Sequence, residues 1–260
     1  MMQHLTRLIS YRGLLWVLAL GELKARHRQT LLGIFWALAQ PVAMMLVFTV
    51  VFSVFVRVQV EGVPYALFAY TGLVSWLFFA NLVSSGVLSV VANMNLVTKA
   101  GFPREVIPLS KVVTIGFDFL VGLALLGVLL IVYGIPITWA ILAVPAIVLI
   151  QVMFATGLVL LGSAAYVLQR DLGSLLPLLL QIWMFLSPVV YPVSLIPEAY
   201  RSLYLLNPMA AIIEAYRSVI LMGTVPSLVS IAPAFVIACA VFAAGYAYFK
   251  SVELRFADVM

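Results

Sequence analysis

The sequence predicts an all-α integral membrane protein with six transmembrane helices, an N-terminal interfacial helix and an external re-entrant helical hairpin, both termini being cytoplasmic. Three observations lead there. Of the 260 residues, 65% are hydrophobic and 9% charged, with a mean hydropathy of +1.21, and so little charge cannot cover that much apolar side chain in water. The apolar residues fall in charge-free runs of 26 residues or more, whereas roughly 20 helical residues cross a bilayer core about 30 Å thick. Lysine and arginine are divided unevenly among the connections between these runs.

Residues 1–30 form the first element. Leu14 to Leu20 is apolar but too short to span, and the charged stretch Glu22 to Arg28 follows with no small-residue cleavage site, which argues against a signal peptide. A helix lying in the cytoplasmic interface, its basic end among lipid phosphates, fits this pattern. A plain basic anchor for the next span is the alternative.

Residues 31–260 form the six-helix domain. The runs Gln29–Val56 and Gly62–Thr98 give spans over 31–56 and 66–91. Tyr133-Gly134-Ile135-Pro136 breaks the 51-residue run between Asp118 and Arg170 into spans over 108–133 and 139–167. The runs Leu172–Pro197 and Ser218–Phe249 give spans over 173–191 and 228–249. An even number of spans puts both termini on one side. With that threading, eleven lysines and arginines lie on the terminal side and only Arg57, Arg201 and Arg217 on the other, so the terminal side is cytoplasmic. The net charge of +5 is then a topology signal that calls for no nucleic-acid partner.

Two connections carry more than a link requires. In the cytoplasmic one, 92–107, Asn93 or Asn95 can cap a short helix that Gly101 and Pro103 end. That helix shows Leu96 and Val97 beside Lys99, with Phe102 and Arg104 after it, as a docking surface for a soluble partner would; a loop resting on headgroups is the other reading. The external segment 192–227 reads as two short helices, Pro197–Leu206 and Met209–Met222, broken at Asn207-Pro208 and closed by Gly223. Each contains the pentapeptide EAYRS, at Glu198–Ser202 and Glu214–Ser218. Glu198 and Arg201, like Glu214 and Arg217, are three apart and so neighbours on one helix face, with Tyr200 or Tyr216 between them. Each copy is thus a self-neutralising charge pair carrying a tyrosine, at a membrane exit.

Several chemistries are excluded. No Gly-Lys pair exists, so no P-loop is present. The only histidines, His4 and His27, lie in the N-terminal segment, which removes a histidine-based metal site or catalytic triad from the spans. No two carboxylates are adjacent in sequence, no catalytic residue is assigned, and the chain is not an enzyme on its own. Asp118, inside a span, is either functional or an acid near the cytoplasmic end paired with Lys111, seven residues earlier on roughly the same helix face. Gln40, Asn81, Gln151 and Gln181 either bond between helices or line a route. No GxxxG pair occurs, and Cys239 has no partner for an intrachain disulfide.

Three stretches carry a family resemblance: LKARHRQTLLGIFWALAQP, with Trp36; NLVTKAGFPREVIPLSK, with the Phe102-Pro103-Arg104 core; and QRDLGSLLPLLLQIWMFLSPVVYPVSLIP, followed by Leu206-Asn207-Pro208. In order and spacing they resemble the membrane subunits of ABC-2 type exporters, and among these the permeases that export O-antigen, capsule and teichoic acid. The resemblance implies a homodimer around a central channel in the bacterial inner membrane, driven by two copies of a soluble ATPase that binds ATP and Mg. It implies a polysaccharide substrate, lipid-linked on this reading. Exporters of drugs or lipids are the alternative, and a membrane-embedded transferase acting on lipid-linked sugars is a remoter one. It also implies that Asn95, Leu96, Lys99, Phe102, Pro103, Arg104 and Glu105, with Arg170 and Asp171, meet the ATPase. Channel and gate would fall to Trp36, Trp76, Phe79, Trp183, Phe185, Tyr191, Tyr200, Tyr204, Tyr216 and the two Glu–Arg pairs.

Overall fold

The computed structural model describes residues 11–28, 35–58, 60, 62–99, 103–204, 206–253 and 256. Among them all regular structure is helical. The helices are α1 (Arg12–Arg28), α2 (Phe35–Phe48), α3 (Tyr65–Ala92), α4 (Met94–Lys99), α5 (Val106–Val132), α6 (Val144–Leu168), α7 (Leu172–Phe185), α8 (Glu198–Tyr204), α9 (Pro208–Ile220) and α10 (Leu228–Val252). Five continuous helical stretches are long and apolar enough to cross a membrane: Leu38–Phe55, Tyr65–Ala92, Val106–Val132, Trp139–Leu168 and Leu228–Val252. They match five of the six expected spans to within a few residues, except that the start of the first lies outside the described residues.

The sixth expected span is helical over only part of its length. The span over 173–191 is α7, a helix of 14 residues. At 1.5 Å per residue it is about 21 Å long, short of the hydrocarbon thickness. A distant side chain and a proline end it. Asn207 Nδ2 donates to the Leu186 carbonyl at 3.0 Å and to Ser187 Oγ at 2.9 Å, and Pro188 has no N–H with which to continue the ladder. The chain then runs on buried but non-helical through Val189 and Val190.

Local chemistry explains the other boundaries. α2 passes into wider turns over Thr49–Phe55, where Thr49 Oγ1 donates back to the Met45 carbonyl at 2.7 Å and Val56 N bonds Val51 O at 2.9 Å. Gly134, at φ +69°, supplies the left-handed turn between α5 and α6. Asn93 serves the helix before it: its Nδ2 donates to the Ser89 carbonyl at 2.9 Å, at the end of α3.

α3 is the axis of the bundle. It packs against α2, α5, α6, α7 and α9, and α6 in turn packs along α10. The backbones of α6 and α10 meet at glycines: a Cβ on Gly157 would stand 2.6 Å from Phe242 N, and one on Gly245 would strike the Gly157 carbonyl. Small residues do here what a GxxxG pair does elsewhere, with one glycine on each helix.

Candidate functional site

Two polar regions occupy opposite ends of the bundle. At one end, α1, the α4 link and the C-terminal end of α10 converge on the start of α5. Lys111 on α5 donates to Glu22 of α1 at 2.6 Å. The carboxylate that Lys111 holds is thus that of Glu22 on another helix. Lys250 on α10 reaches Glu105 at 2.8 Å and Glu253 at 2.9 Å. Arg104 donates to the Glu253 carbonyl and lies over the Phe256 ring at 5.9 Å. Beneath these charges Val90, Ile107, Leu160, Ala164, Val167, Phe249, Val252 and Phe256 form a small apolar cluster.

The predicted coupling residues divide here. Asn95 and Leu96 stand exposed on α4. Pro103 is buried and Arg104 half-buried, while Glu105 is 1% exposed and so faces inward. Lys99 closes α4, with its side chain outside the described residues, as is Phe102 altogether. Arg170 and Asp171 are exposed in the turn between α6 and α7, with Arg170 over the Tyr166 ring at 5.9 Å.

At the opposite end α9 packs against the start of α3, and the two EAYRS copies part company. In α8, Glu198 and Arg201 are 3.6 Å apart at the surface and Tyr200 is 63% exposed. In α9, Arg217 is 0% exposed and Tyr216 1% exposed. Arg217 Nη1 donates to Glu214 at 2.7 Å, its Nη2 donates to the Val189 carbonyl at 2.8 Å, and the guanidinium lies 3.5 Å over the Phe68 ring. Gly72 makes the room: a Cβ there would come within 2.7 Å of Arg217 Nη2. Tyr216 donates to Gln151 Oε1 at 2.9 Å, and Gln151 Nε2 donates to the Ser75 carbonyl at 2.8 Å. In this conformation Tyr216 presents no surface to a substrate.

Five of the predicted channel and gate aromatics fall into two groups. Trp76 packs on Phe79 at 5.4 Å, and Phe79 meets Trp183 edge-on at 5.3 Å and stacks on Phe154 at 5.6 Å. Trp183 Nε1 donates to Asn207 Oδ1 at 3.0 Å, and the same oxygen accepts from Met209 N at 3.1 Å, capping α9. The second group is Tyr191 and Tyr204, whose hydroxyls share a hydrogen bond at 3.0 Å; Tyr191 also donates to the Phe185 carbonyl at 2.7 Å. Burial first, and this bond second, raise the Tyr204 hydroxyl above the ordinary phenol range. Phe185 is exposed, and Trp36 lies on α2 with its side chain outside the described residues. Gln40, Asn81 and Gln181 are exposed on α2, α3 and α7, so of the four polar span residues Gln151 is the one that bonds between helices here.

Sequence reasoning did not assign Phe154, Asn207 or Lys250 to a site. Only Asn207 left a signal, as the residue before the proline that opens α9. Among the described residues no group of three or more His, Cys, Asp or Glu side chains is placed to hold a metal.

Known proteins place this architecture. The chain is 39% identical over 210 residues to the O-antigen export system permease protein RfbA of Myxococcus xanthus, covering 80% of each. It is 30% identical over 249 residues to the protein of that name from Klebsiella pneumoniae, covering 95% of each. It is 22% identical over 205 residues to the polysialic acid transport protein KpsM of Escherichia coli, covering 74% of each. The long apolar helices and these relatives make it a multi-pass protein of the bacterial inner membrane. The family model of the ABC-2 type transporter matches residues 13–221, and the chain belongs to that family of transporter membrane subunits.

Proposed function

We propose that this chain is the permease subunit of an ATP-driven exporter that carries a polysaccharide, lipid-linked at the time of transport, out of the cytoplasm. The observation that carries the reading is the alignment over 95% of both chains with a protein named for O-antigen export, which takes in the α4 link and the α8–α9 hairpin alike. Two copies enclose the route, and each engages one soluble ATPase that holds ATP and Mg. Six crossings are counted by taking α7 together with the buried non-helical stretch after it. The α4 end, with both described termini, is cytoplasmic, in keeping with the excess of lysine and arginine there.

Asn95 and Leu96, with Lys99, Phe102 and the Arg170–Asp171 turn, meet the ATPase. The hairpin dips into the outer leaflet and forms the gate, with Tyr200, Tyr204, Tyr191 and Phe185 toward the exit. Non-helical backbone at membrane depth is tolerable where protein buries it, as at Val189 and Val190. Closure of the ATPase pair then pushes on α4 and alternates the opening of the route.

Deleting the gene in its native host tests this directly. A surface polysaccharide should accumulate inside the cell and disappear from its surface. A cell with a normal polysaccharide coat but altered lipid or drug efflux would assign the exporter another cargo.

A further inference from the structure

We propose that Glu105, Lys250 and Glu253 form a rigid clamp that makes the last span, α10, move as one body with the segment that follows α4. The inference rests on the reading of α4 as the ATPase contact. It gives Glu105 a different role from its neighbours: a carboxylate 1% exposed cannot touch a soluble partner, so it acts through Lys250 as a positioning residue.

The geometry is specific. Glu105 sits between α4 and α5, 145 residues from Lys250 in sequence, yet the two are 2.8 Å apart. Lys250 holds Glu253 as well, at 2.9 Å, so one cation ties the start of α5 to the last turn of α10. Arg104 adds a bond to the Glu253 carbonyl and lies over Phe256, and both groups belong to the same chain end. Phe249, Val252 and Phe256 pack with Val90 of α3 and Ile107 of α5, which closes the clamp from below. Further along α5, Lys111 holds Glu22 of α1.

A displacement of α4 is therefore passed on at once to α5 and α10. A buried carboxylate cannot part from its cation without leaving an uncompensated charge, so the joint resists opening. α10 then carries the push to α6 along the glycine contact of Gly157 and Gly245.

The test uses the full complex. Glu105→Gln leaves Lys250 with Glu253 alone. The triple variant Glu105→Lys, Lys250→Glu, Glu253→Lys inverts every charge of the clamp and keeps its pairing. Three quantities are read: ATPase subunit co-purifying with the permease, ATP hydrolysed by the purified complex, and polysaccharide at the surface of the native host, labelled by periodate oxidation and a hydrazide dye.

Glu105→Gln should leave co-purification and hydrolysis in place while surface polymer per ATP hydrolysed falls roughly tenfold, within the range of ordinary coupling free energies. The inverted triple variant should restore it. Unchanged export per ATP in an assembled Glu105→Gln complex would overturn the clamp, and so would an inverted variant that assembles and hydrolyses but does not export. If the unaltered permease retains no ATPase at all, it is the docking role of α4 that falls.

Discussion

Arg217 carries a guanidinium with no exposed surface, 2.7 Å from Glu214 and stacked on Phe68. Arg201 occupies the same place in an identical pentapeptide and stands at the surface, 3.6 Å from Glu198. The same substitution should therefore have unequal effects. Arg217→Ala removes the partner of a half-buried carboxylate and strips the donor from the Val189 carbonyl, which should cost about 3 kcal/mol or more. Arg201→Ala should cost about 1 kcal/mol or less, because an exposed pair is screened by solvent. Thermal unfolding of the two variants in detergent decides, and equal losses would contradict the difference in burial.

Tyr216→Phe is a gentler probe at the same scale. It leaves Gln151 Oε1 without its donor between packed helices, and should cost about 0.5–2 kcal/mol. The two copies were legible in the sequence as charge pairs. Their environments were not, because burial of α9 depends on the room left by Gly72 and on Val189, both remote in the chain.

At the scale of elements, the α6–α10 contact depends on two glycines, whereas Gly116 and Gly127 of α5 face open space. Gly245→Ala drives a methyl into the Gly157 carbonyl, and the helices must separate to accept it. Gly116→Ala and Gly127→Ala meet nothing within 4 Å on α5 and should be neutral or stabilising by up to about 1 kcal/mol, as alanine favours a helix. Melting temperatures of the three variants should separate Gly245→Ala from the other two.

Charge-free runs located five membrane-length helices because lipid demands continuous apolar helix, whatever the tertiary arrangement. The stretch over 173–191 was only partly legible, for the opposite reason. Its composition satisfies a span, yet its helix stops after Phe185, where Asn207 takes the Leu186 carbonyl from a distance of 21 residues in sequence.

At the scale of the whole molecule, both polar ends are built from residues far apart in the chain, joined through a bundle whose core is apolar. Orientation can be checked on intact vesicles. In a Cys239→Ala background, cysteines placed at Lys24 and at Glu198 should react with a membrane-impermeant maleimide from opposite sides. Labelling of both from one side would refute the threading.

The sequence by itself determined that this chain lives in lipid, where its long helices lie, which connections are polar, and that it lacks a P-loop. Those properties follow from local composition and from the thickness of the bilayer, and both act residue by residue along the chain. Tertiary structure decided which of two identical pentapeptides is buried, where α7 ends, and that Glu105 turns inward to Lys250. Each of these depends on which backbone or side chain another helix brings within a few ångströms, and no local pattern encodes that.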